Sequence, residues 1–155
     1  MSHALRDQRL APGGAEHRLF EVARLSLRIF SNLVVFPMNP AGGTAKILTL
    51  TLKDALTRCA DEPRRMVYLR EYKQLFLWAL VLGGLQADDD DEMTDKARSW
   101  FLARFIHFSS SAHVSTWVQV RDCLSEVLWS ESVLTLAAWE FWKDAQTHGR
   151  MTTQR

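Results

Sequence analysis

A chain of 155 residues has the length of one domain and can bury about two-thirds of its extended surface. Its net charge of +1 and pI of about 7.9 leave out the basic stripe with which a protein grips a phosphate backbone. With 47% hydrophobic and 24% charged residues it has an ordinary globular composition, and its seven Gly and four Pro fall mostly outside the periodic segments, which favours helices over a turn-rich β fold.

Residues 1–14 are polar and carry Pro12, Gly13 and Gly14; they read as a flexible tail with no apolar leader. A first helix is expected over about 15–35, because Leu19, Val22, Ala23, Ser26, Phe30, Leu33 and Val34 recur at helical spacing. Pro37 and Pro40 stop it, since proline lacks the amide donor and restricts its predecessor. A second helix is expected over about 44–60 with Leu48, Leu52, Ala55, Leu56 and Cys59 on one face. The alternation Ile47-Leu48-Thr49-Leu50-Thr51-Leu52 also fits a strand, but a lone strand has nothing to pair with.

The third helix, about 65–85, is amphipathic in its first half and apolar on all sides in its second, so it is expected to be the buried centre. Gly83-Gly84 reads as its left-handed stop. Its apolar stretch falls short of the roughly 20 residues that a membrane span needs. Asp88 to Glu92 reads as a solvated acidic loop. Thr94 or Asp95 then caps a fourth helix, about 95–108, with Ala97, Trp100, Phe101, Phe105 and Phe108 as its stripe, and Ser109-Ser110-Ser111 follows as a linker. Thr116 with Gln119 fits a capping box opening the fifth helix, whose stripe is Val120, Leu124, Val127 and Leu128. Ser130 or Ser132 caps the sixth, which carries Leu134, Ala138, Phe141 and Ala145 to about Thr147. Residues 148–155 read as a second flexible tail. The expected architecture is therefore all-α: a single domain at 15–147 of about six helices packed around 65–85.

No catalytic residue, metal ligand or cofactor site is expected. Asp88, Asp89 and Glu92 imitate a magnesium-binding aspartate motif, and clustered carboxylates do suit hard cations. The chain lacks the length and the second motif of such an enzyme, so this metal-dependent reading ranks last. His3, His17, His107, His113 and His148 are dispersed and make no metal spacing, and Gly42-Gly43-Thr44-Ala45-Lys46 lacks the core of a phosphate loop. Cys59 and Cys123, both on apolar stripes, read as reduced core residues. The tryptophans read as core packing, with Trp139 and Trp142 the best candidates for exposure.

A series of signposts runs through the second half: Leu75 to Gly84 around Trp78 and Gly83-Gly84, Arg98-Ser99-Trp100-Phe101, Thr116-Trp117-Val118-Gln119-Val120-Arg121, Leu128-Trp129-Ser130-Glu131-Ser132, and Trp142. In order and spacing it resembles the C-terminal regulatory region of fungal zinc-cluster transcription factors, as does Asn32 to Pro37. The resemblance covers roughly 15–145. Its signature residues here are Trp78, Gly83, Gly84, Trp100, Phe101, Trp117, Arg121, Trp129 and Trp142, all structural. It implies a non-catalytic regulatory and protein-interaction domain, nuclear, whose partners are proteins of the transcription machinery or a dimer partner. The family reads DNA through a six-cysteine zinc cluster, which two cysteines cannot form. The chain is therefore expected to be the regulatory part alone, intracellular, with no direct sequence-specific DNA binding and no membrane contact. The alternative function is a helical small-molecule sensor, with an apolar ligand in a pocket lined by Trp78, Trp100 or Trp117.

Overall fold

The computed structural model describes residues 14–37, 43–61, 70–87 and 92–153. Among them are six α-helices and no strand: α1 Ala15–Phe30, α2 Gly43–Ala60, α3 Lys73–Gln86, α4 Glu92–Ser111, α5 Trp117–Ser125 and α6 Glu131–Thr153. The all-α class and the helix count follow the sequence expectation. Residues 1–13 and 62–69 and the aspartates Asp88 to Asp91 lie outside the described residues, and with them the N-terminal tail and most of the acidic loop. The third helix does not run unbroken over 65–85 as expected: Tyr72 leaves the helical conformation, with φ −115° and ψ 35°, and α3 begins at Lys73.

Helix α3 sits at the centre. Every residue from Phe76 to Gly84 is buried, so α3 has no solvent face along that stretch and α1, α2, α4, α5 and α6 all pack on it. An apolar surface all round has to be covered all round. Ring contacts tie the layers: Phe30 of α1 lies 6.3 Å from Trp78, and Phe76 lies 5.9 Å from Phe108 of α4.

The stripes predicted for α1, α2, α4 and α6 face inward. In α2, Leu48, Leu52, Ala55, Leu56 and Cys59 are buried. The strand alternative fails there because the threonines join the helix: Thr49 Oγ1 donates to the Ala45 carbonyl at 2.9 Å and Thr51 Oγ1 to the Ile47 carbonyl at 2.6 Å. The Arg18 guanidinium, from α1, reaches the Arg58 carbonyl at 3.1 Å, placing a cation at the negative end of α2. After Phe30, α1 widens into a π-turn over Ser31–Val35 and has ended before Pro37.

Four further local expectations need correction. Gly83 and Gly84 do not end α3. They lie inside it, buried, and the helix continues to Gln86 before Ala87 turns extended. Their value is the missing Cβ, not the left-handed conformation: a methyl on Gly83 would strike the Phe101 ring and one on Gly84 the Phe141 ring. Second, α4 starts at Glu92, so Thr94 and Asp95 lie within it rather than capping it, and the three serines are helical. Ser109 Oγ donates to the Ile106 carbonyl at 3.1 Å and Ser111 Oγ to the His107 carbonyl at 3.0 Å; their short hydroxyls bond back to the preceding turn instead of breaking it. Third, α5 ends at Ser125, which leaves Val127 and Leu128 exposed on the connection to α6. Fourth, α6 runs past Thr147 to Thr153.

Candidate functional site

The site lies where α2, α3 and the second half of α4 diverge. Leu56, Cys59 and Ala60 come from α2, Lys73, Phe76 and Leu80 from α3, and Trp100, Arg104, His107, Phe108 and Ser111 from α4. Arg70, ahead of α3, and Ala112 and His113, after α4, complete the described lining of a cleft of about 660 Å³. That volume is in the range of sites for drug-sized ligands. The floor is apolar, with Leu56, Phe76, Leu80 and Phe108 all buried. The rim is cationic. Arg70, Lys73 and Arg104 stand on it with His107 and His113, and no Asp or Glu is among the described lining residues.

Local sequence explains the placement. Trp100, Arg104, His107, Phe108 and Ser111 recur at three and four residues, which stacks them on one face of a helix. The Arg104 guanidinium lies 5.5 Å from the Trp100 ring centre and the Lys53 ammonium 5.8 Å from it, while Trp100 stands edge-on to Phe101 at 5.1 Å. Held between a buried ring and two cations, Trp100 forms a fixed wall.

His113 is the one non-glycine residue with positive φ among the described residues, at 58°. It ends α4 in a Schellman motif: Val114 N–H bonds to the Ser109 carbonyl at 2.8 Å and His113 N–H to the Ser110 carbonyl at 3.2 Å. Glycine usually fills that position because a Cβ is unfavourable there.

The signature residues fall in the cleft, in the core and on the surface of α5 and α6. Trp100 alone lines the cleft. Trp78 is fully buried and donates from Nε1 to the Leu128 carbonyl at 2.8 Å. Phe101 is fully buried against Gly83. Trp129 donates to Thr135 Oγ1 at 3.2 Å, and Thr135 in turn to Glu131 at 2.9 Å. Trp117 and Trp142 are half-buried and join Trp139 in an aromatic trio, with Trp139 and Trp142 stacked at 5.4 Å and Trp117 edge-on to Trp139 at 5.5 Å. Arg121 is exposed on α5. Thr116 and Gln119 form the expected capping box. The sensor pocket expected around Trp78, Trp100 or Trp117 thus keeps only Trp100. The Arg98 of Arg-Ser-Trp-Phe bridges helices, donating to the Gly84 carbonyl at 3.0 Å and to Asp144 at 2.8 Å.

Sequence reading missed Lys73, Arg104 and His113. The available signal was Arg104 four residues after Trp100 on the stripe of a helix, next to an aromatic. His113 reads in sequence only as one of five dispersed histidines, and nothing in Ser109-Ser110-Ser111-Ala112-His113 marks it as a left-handed cap.

Both cysteines are buried and unbridged. Burial pushes the Cys123 thiol above its ordinary value, with Lys73 acting the other way and Glu126 and Asp122 adding to it. No group of three or more His, Cys, Asp or Glu among the described residues is placed to hold a metal ion, and no described helix is long and apolar enough to cross a membrane. Comparison with protein-family models, with curated proteins and with solved structures gives no match.

Proposed function

We propose that this chain is a non-catalytic helical regulatory domain that responds to a small ligand held in the cleft between α2, α3 and α4. The cleft carries the reading: it has a buried apolar floor and a polar rim, and it opens directly onto α3, the helix that every other helix touches. A ligand there contacts the element best placed to alter the whole domain. Transcriptional regulation in the nucleus is the biological setting, supported by the resemblance to the regulatory region of fungal zinc-cluster factors. Contact with partner proteins is supported by exposed apolar side chains on the last two helices. Val118, Val133 and Leu136 are 55%, 48% and 73% exposed on α5 and α6, the two helices that supply the aromatic trio, and solvent-facing apolar side chains of this size suit a protein interface.

The test is a thermal-shift screen of the whole chain against a broad panel of apolar and amphipathic small molecules, with intrinsic tryptophan fluorescence as the second readout. Ligands that raise Tm should also change the emission, because Trp100 walls the cleft. Ala60→Trp, which fills the cleft from its α2 side, should abolish both responses. A flat response across the panel refutes the ligand reading.

A further inference from the structure

We propose that the cleft takes an amphipathic monoanion, a small molecule with a flexible hydrocarbon body and one carboxylate head. This rests on the cleft being a ligand site, as read above, and adds the chemistry of the occupant.

The floor fixes the body of the ligand. Leu56, Phe76, Leu80 and Phe108 offer only carbon from their side chains, so what lies on them gains by leaving water as hydrocarbon does. The rim fixes the head. Arg70, Lys73 and Arg104 make no ion pair with any described carboxylate, and no described acidic residue lines the cleft. Like charges gathered at the edge of an apolar depression repel one another and favour an anion between them. The first turn of α3 adds to the same field. Lys73 and Phe76 of that turn both line the cleft, and Tyr72 gives the helix no side-chain cap, so among the described residues the N-cap side chain does not neutralise the positive end of the helix dipole.

His113 is the independent observation. Its cap would be served better by glycine, yet a histidine stands there in the left-handed region, on the cleft wall. Unfavourable backbone conformations concentrate where a side chain is needed for function, and an imidazole at this point supplies a further donor to an anionic head. Three cations stand on the rim, Arg70 just ahead of α3, Lys73 in its first turn and Arg104 on α4, a charge that a single carboxylate can answer.

The experiment is isothermal titration calorimetry of the full chain with decanoate, decanol and decyltrimethylammonium, each in monomeric solution. Decanoate should bind about tenfold or more tightly than decanol, the worth of charge-assisted contacts, and the cationic analogue should bind more weakly than both. The double variant Lys73→Gln with Arg104→Gln should bring decanoate down to the affinity of decanol while decanol binding stays unchanged. Should the double variant unfold by circular dichroism, Arg104→Gln alone, at an exposed position, should remove part of the preference. Equal binding of decanoate and decanol overturns the proposal and leaves the ligand site standing. No binding by any of the three, including decanol, overturns both. Binding to vesicles of phosphatidylglycerol in phosphatidylcholine without binding of monomeric decanoate also overturns it, since the cations would then serve a membrane surface.

Discussion

Replacing Gly84 by alanine separates two forces of opposite sign. In a helix interior, glycine to alanine ordinarily gains about 1 kcal/mol, because alanine loses less backbone freedom on folding. Here the new Cβ would stand 2.9 Å from Cδ2 and Cζ of Phe141, closer than carbon atoms pack. Phe141 is fully buried and is backed edge-on by Phe105 at 5.4 Å, with the Arg98 guanidinium 5.8 Å from its ring centre, so the ring has nowhere to go. Overpacking of this kind costs about 1–3 kcal/mol. Taking the upper end and subtracting the propensity gain leaves a net loss of about 2 kcal/mol, or a fall in Tm of roughly 4–8 °C for a domain of this size. Gly83→Ala should behave alike, its Cβ 3.0 Å from Phe101 Cδ1. Gly149→Ala is the control: it lies in α6 with Ile106 at an ordinary 3.5 Å, and it should be stabilising by up to about 1 kcal/mol. Urea unfolding followed at 222 nm, with the slope compared between variants, measures all three. In the double variant Gly84→Ala with Phe141→Leu, the losses should sum to less than their separate values by about 1 kcal/mol. A Gly84→Ala protein as stable as the parent would refute the account of this helix contact.

Arg98→Met should cost about 1–3 kcal/mol, because it removes a charge-assisted bond to the Gly84 carbonyl at a side chain only 16% exposed. Asp144→Asn, at a partner 52% exposed, should cost well under about 1 kcal/mol, and equal losses in the two variants would contradict the bridging role. Ser26 is fully buried on α1 and its Oγ has no hydrogen-bond partner among the described residues, so Ser26→Ala should raise stability by about 1 kcal/mol or more by removing an unsatisfied polar atom; a loss of that size would show a partner at work. The raised Cys123 pKa means that the folded thiol keeps its proton at pH values where the unfolded one has lost it. Any stability it contributes is therefore present below the ordinary value of 9.0 and declines as pH rises through the higher folded value. Alkylation of Cys123 in a Cys59→Ala background, followed against pH, should lag behind that of the urea-unfolded chain, and coincident profiles would contradict the shift.

Most of the helical frame was readable from sequence because it rests on spacing. The stripes of α2 and α6 are buried as their periodicity requires, and the Thr116–Gln119 box forms with both of its bonds. The failures share a cause. Gly83-Gly84 reads locally as a helix stop, yet the deciding partners, Phe101 and Phe141, come from distant helices, and no local signal tells a glycine needed for its conformation from one needed for its size. The serines after Phe108 lose their breaking tendency because their hydroxyls bond within the helix. The candidate cleft was less legible still. Its wall of Trp100 and Arg104 could be seen on one stripe, but Lys73 and His113 reach it only through the packing of α3 on α4.

Because α3 is enclosed along its buried stretch, it cannot shift on its own. Phe76 and Leu80 look into the cleft, and between them in the chain Trp78 holds the carbonyl of Leu128 at the turn that leads into α6. A close-packed helix moves as one body. Any rotation of α3 would therefore have to carry along, or break, the bond from the indole nitrogen of Trp78 to the Leu128 carbonyl, which ties the central helix to the connection that precedes α6.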